Sequence, residues 1–213
     1  HAAAQRKRGR PKVLLARTYE EAMELYDRYG DNALGIISDA RFPKDGAKDP
    51  EAGLKLLREI RKRDEYVPLI LQSAESDNRF KAEAEGFRFV DKNSKKMDID
   101  LRRLMEEHMG FGDFVFHDPK TGKEILRIHS LKELQDNIFT IPNDSMLYHV
   151  SRNHMSRWLS ARAIFPVSAF LKHVTWHKLQ DVDAHRQIIF DAIVQYRRMK
   201  NIGVVAVFDR GKF

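Results

Sequence analysis

Short apolar runs recur through the first half of the chain, separated by segments with helical spacing. Val13-Leu14-Leu15-Ala16, Ala33-Leu34-Gly35-Ile36-Ile37-Ser38, Val67-Pro68-Leu69-Ile70-Leu71 and Phe87-Arg88-Phe89-Val90 have the length of buried strands. Between them, Thr18 is a helix N-cap with Glu21 as its capping-box partner, and Gly30 stops that helix. Asp49-Pro50 opens a second helix with Leu54, Leu57 and Ile60 as its buried stripe. A short helix over 78–85 ends at Gly86, and Ser94 caps a last one carrying Leu101, Leu104, Met105 and His108. Gly110 and Gly112 mark a boundary. Strands alternating with helices at this spacing predict βαβ units, a parallel sheet and an α/β fold.

Three of these strands end in polar groups: Asp39, Ser73 and Lys92. A parallel sheet turns all three ends to one edge, where open α/β sheets place their ligands. The string Asp39-Ala40-Arg41-Phe42-Pro43-Lys44-Asp45-Gly46 resembles the phosphoacceptor loop of bacterial response-regulator receiver domains. The order Asp, then Ser before a small residue, then Lys, with Phe89 three residues ahead of Lys92, matches that family too. The resemblance covers about residues 12–110.

It implies a receiver-like (flavodoxin-like) doubly wound parallel sheet. It implies Asp39 as phosphoacceptor and Mg²⁺ ligand, with the backbone carbonyl of Arg41 as a further metal ligand. Lys92 would pair with the acceptor carboxylate or the phosphoryl group, Ser73 would donate to a phosphoryl oxygen, and Phe89 would act as the conformational switch. A carboxylate can attack a phosphoryl group to give an acyl phosphate, provided cations and donors spread the developing charge. The implied partners are a histidine kinase or phosphotransfer protein and a second copy bound through the receiver.

The sequence also departs from the pattern. The family's opening strand ends in an acidic pair that holds Mg²⁺; upstream of Val13 there is only a basic segment. Val13–Ala16 and the helix after it correspond to the family's second strand and helix. Asn93 stands where the family has Pro. Either the first strand and helix have been removed, or the domain is a pseudo-receiver that takes no phosphoryl group and serves as an interaction module.

The second half, 111–213, reads as an α+β domain. Asp118-Pro119-Lys120-Thr121-Gly122 is a turn between two strand candidates, a β-hairpin. Ser130 and Glu133 cap a short helix. A longer helical region runs over 145–164, Pro166 breaks it, and helices follow over 167–173 and 184–199. Gly203-Val204-Val205-Ala206-Val207-Phe208-Asp209 has a buried-strand pattern near the end, so truncation of a longer protein is expected there. The stretches 111–116, 152–162 and 203–209 resemble the region joining a receiver to the catalytic portion of proteins like phosphoenolpyruvate synthase or pyruvate phosphate dikinase. That implies a regulatory front end attached to a C-terminal catalytic domain, with no complete catalytic site of its own.

The formal charge is +7, much of it from Arg6, Lys7, Arg8, Arg10 and Lys12, a basic lead-in over 1–11 and its border. Elsewhere the signs are mixed, which gives little support to a nucleic-acid partner. Arg152, Arg157 and Arg162 around Trp158 leave a DNA-binding response regulator as a further reading, although a core Trp ringed by solvated Arg explains them more simply. There are no cysteines, which excludes disulfides and thiolate sites. Without a signal-peptide pattern or an apolar span, a cytoplasmic protein and no membrane partner are expected.

Overall fold

The computed structural model describes residues 11–210, with side chains to residue 201. The basic residues Arg6, Lys7, Arg8 and Arg10 lie outside the described residues. Two compact units form: one runs to Gly112 and includes Ser160–Ala163; the other comprises Asp113–Leu159 and the chain from Ile164.

The first unit is α/β. Its parallel sheet has three strands, β1 (Ile36–Asp39), β4 (Leu69–Ser73) and β5 (Arg88–Asp91), in the order β1-β4-β5. Asp39 pairs with Gln72 and Ser73 with Asp91, so the carboxyl ends lie level. Helices α1 (Tyr19–Tyr29), α2 (Ala52–Arg63), α3 (Asp77–Ala84) and α4 (Met97–His108) complete the βα alternation.

Both sheet faces are covered. Leu69 and Leu71 pack with Leu54, Leu57 and Ile60 of α2 and with the half-buried Ala22, Met23 and Tyr26 of α1. Ile70 and Val90 face the other way, onto Leu104 of α4 and Met109. Burial on both faces is why the central strand, β4, reads as a continuous apolar run.

The N-cap at α1 forms as expected, while the Glu21 carboxylate reaches the amide before the cap and not that of Thr18. Thr18 Oγ1 accepts from the Glu21 amide at 3.1 Å, and the Glu21 carboxylate accepts from the Arg17 amide at 2.7 Å. Two further features differ from the sequence reading. Val13–Ala16 is not a strand: among the described residues none pairs with it, and Val13 and Leu15 are 85% and 81% exposed. After Asp39 the chain makes a small hairpin, β2 (Phe42–Lys44) and β3 (Ala47–Asp49), turning through Asp45 (φ 52°) and Gly46 (φ 77°). Asp-Gly suits such a turn because both central residues need positive φ.

The second unit pairs one hairpin with helices. Strands β6 (Phe114–His117) and β7 (Glu124–Ile128) run antiparallel. Helices α5 (Leu131–Asn137), α6 (Asn143–Ser151), α7 (His154–Ala161), α8 (Phe165–His173) and α9 (Val182–Arg210) pack around Phe116, Trp158, Ile189 and Ile193. The helical region expected over 145–164 is two helices, broken at Arg152–Asn153, where Asn153 has φ 55°. Pro166 opens α8 instead of ending a helix, as a residue without a useful N–H can. The strand expected over Gly203–Asp209 is also corrected: the backbone there continues α9. Extending an established helix adds one hydrogen bond per residue fixed, which outweighs the β preference of its valines. Among the described residues, no helix is long and apolar enough to cross a membrane.

Candidate functional site

Asp39 is the last residue of β1, and Lys92 follows β5 directly. They are 53 positions apart, yet Lys92 Nζ lies 3.0 and 3.1 Å from the two Asp39 carboxylate oxygens. The parallel register brings them together across β4, and the Lys92 amide is tied to the Ser73 carbonyl at 2.9 Å. The pair is open to water, with the side chains 45% and 40% exposed. The carboxylate is therefore accessible to a small solute.

Ser73 sits beside this edge but is buried. Its Oγ accepts from the Glu75 amide at 3.1 Å and from Asn78 Nδ2 at 2.9 Å. Both bonds use its lone pairs, so the hydroxyl proton remains available to donate. Phe89 packs into the core that includes Leu69 and Leu71, with the Arg79 guanidinium 4.8 Å from its ring centre. Arg41 directs its side chain to Glu75 at 2.6 Å. Asn93 Nδ2 donates to the Ala74 carbonyl at 2.7 Å, tying the two loops of the edge.

One contributor is not evident from residue type. Gly53, in the first turn of α2, donates its amide to the Ala40 carbonyl at 3.0 Å. A Cβ on Gly53 would lie 2.0 Å from the Asp39 carbonyl oxygen. The absent side chain lets α2 seat against the backbone that carries Asp39. Asn78 was likewise hidden, because an Asn early in a helix looks like solvated surface until the Ser73 contact is seen.

The donor set bears on a divalent cation. Asp39 offers one exposed carboxylate; among the described residues no three His, Cys, Asp or Glu converge as a metal-binding group. Mg²⁺ takes one or two carboxylates, substrate phosphate and several waters, so a single carboxylate is the lower end of its requirement.

Comparison with protein-family models, curated proteins and solved structures finds no match to this chain.

Proposed function

We propose that the first unit is a receiver-like, flavodoxin-like domain that accepts a phosphoryl group on Asp39 and regulates an attached or partner enzyme domain. The observation that carries this reading is the Asp39–Lys92 pair at the carboxyl edge of a parallel sheet, with Ser73 beside it. An Asp39 oxygen attacks phosphorus in line, and the bond from phosphorus to the donor's leaving group breaks as the acyl phosphate forms. Lys92, already 3.0 Å from the carboxylate, moves its charge onto the phosphoryl oxygens. Ser73 donates its free proton to one of them, and Phe89 shifts with it. Mg²⁺ bound to Asp39 and the Arg41 carbonyl would add the remaining charge neutralisation.

The fitting donor is a phosphohistidine on a kinase or phosphotransfer protein in the cytoplasm. The output is a change in how this face docks, on a second copy or on a catalytic domain of the phosphoenolpyruvate synthase type. Such an output is a shift between two populations.

One observation favours a second reading. Lys92 engages both oxygens of Asp39, at 3.1 and 3.0 Å. A pseudo-receiver that keeps this ion pair as a structural clasp would look the same. Intact mass after incubation with Mg²⁺ and acetyl phosphate separates the two. A single phosphoryl adduct, missing in Asp39→Asn, supports the receiver; no adduct in either chain leaves the pseudo-receiver or a receiver whose first strand and helix have been removed.

A further inference from the structure

Two histidines of the second unit meet at the α6–α7 turn, against the end of β6. His149 is 3% exposed and ringed by Phe114, Phe116 and Tyr148. The main-chain N–H of His117 donates to its Nε2 at 3.0 Å. An amide can only donate, so Nε2 holds a lone pair, and the ring's one proton must sit on Nδ1. That nitrogen is 2.9 Å from Nδ1 of His154. His154 therefore presents a lone pair there and keeps its own proton on Nε2. One fixed amide thus sets two tautomers and requires both rings to be neutral.

A proton added to His154 has no accommodation in this arrangement. It would set two N–H groups against each other across 2.9 Å. His149 cannot yield by moving its proton to Nε2, because the His117 amide occupies that position. Around His149 the neighbouring groups oppose a further positive charge. The His117 ring stacks on His149 from β6 at 6.0 Å, Tyr148 lies edge-on to both rings from α6, and Arg152 lies 4.2 Å over the Tyr148 ring from the turn. His117 and Arg152 each oppose further positive charge on His149, and burial opposes it more strongly.

We infer that His149 and His154 form a proton-operated latch, closed while both rings are neutral and opened when His154 is protonated, which frees the turn at Arg152–Asn153. The latch borders a groove of about 640 Å³ that has Tyr148, Arg152 and Asn153 on one wall and also contains Lys172 and His177. Opening reshapes that wall, so acidification changes what the groove can hold.

The test is amide exchange of His117 in the full chain, corrected for intrinsic rate, with ¹⁵N spectra of the histidine rings. Each imidazole released to its ordinary pKa should raise the opening equilibrium by about 25-fold between about pH 7 and about pH 5. His154→Gln can still accept from His149 but cannot be protonated. Its loss of protection is expected to be smaller than that of the unaltered chain by about this factor. Equal losses in the two proteins, or no loss in the unaltered one, would overturn the latch. Should His154→Gln fail to fold, the ring spectra decide: a His149 proton on Nε2 at neutral pH refutes the inference, and one on Nδ1 with His154 protonated on Nε2 upholds it.

Discussion

Replacing Gly53 by Ala sets two ordinary rules against each other. By helix propensity, Ala is favoured over Gly by about 0.5–1 kcal/mol in a helix interior. By packing, the new methyl group would meet the Asp39 carbonyl oxygen at 2.0 Å, the Asp39 carbonyl carbon at 2.9 Å and Leu71 Cδ1 at 2.9 Å. Two of these three atoms are backbone, which cannot rotate away. Relief requires α2 to move off β1 by more than about 1 Å, since carbon contacts settle near about 3.5 Å. Overpacking of this kind costs about 1–3 kcal/mol, and the backbone clash argues for the upper end. The expected net effect is a loss of about 2 kcal/mol in the first unit. That corresponds to about 8–16 °C in its midpoint for a unit of this size. Both tryptophans, Trp158 and Trp176, belong to the second unit, so their fluorescence follows that unit alone. Thermal circular dichroism of Gly53→Ala should show part of the helical signal lost early, while the tryptophan transition stays in place. A variant that melts at or above the parent temperature would refute the seating of α2 on Asp39.

Lys92→Met should change stability by no more than about 1 kcal/mol, because the Asp39–Lys92 pair is exposed. It should slow phosphoryl adduct formation by about 100-fold, measured by intact mass over time. Ser73→Ala leaves the buried Asn78 amide without its acceptor and should cost about 1–3 kcal/mol in urea denaturation. Adding Asn78→Ala should then cost less than it does alone. Burial pushes the His149 imidazole down to about 3 from its usual 6.5. The unfolded chain therefore binds the extra proton first. The second unit's stability should be fully present above about pH 6.5 and decline by up to about 1.4 kcal/mol per pH unit below it, as read by tryptophan fluorescence. A midpoint that is flat from about pH 7 to about pH 5 would refute a neutral, buried His149.

Those features whose causes are local in the chain were the legible ones. Thr18 with Glu21 and Ser130 with Glu133 announce helix starts, since cap and partner lie within one turn. The apolar run at Leu69 announces a strand because both its faces are buried. Asp39, Ser73 and Lys92 could be placed at one edge because parallel strands leave little choice. Their actual contacts could not: the 3.0 Å approach of Lys92 to Asp39 depends on register across three strands. Val13–Ala16 misled because strand character needs a pairing neighbour, which residue type does not reveal. His149 and His154, five apart, would not share a face on one continuous helix. Asn153 in the left-handed region breaks the helix and turns their rings together.

The strand that carries Asp39 is also an end strand: among the described residues β1 has a hydrogen-bonded neighbour on one side only. Unpaired backbone amides and carbonyls along such an edge are a template for another strand, whatever its origin. Ile37, in the middle of β1, is 37% exposed, so the sheet presents apolar surface there as well. Anything that docks along this line would stiffen the segment holding the carboxylate, and anything that strips it away would loosen that segment. The acidic group is therefore mounted on an edge of the sheet, where rigidity is open to outside control.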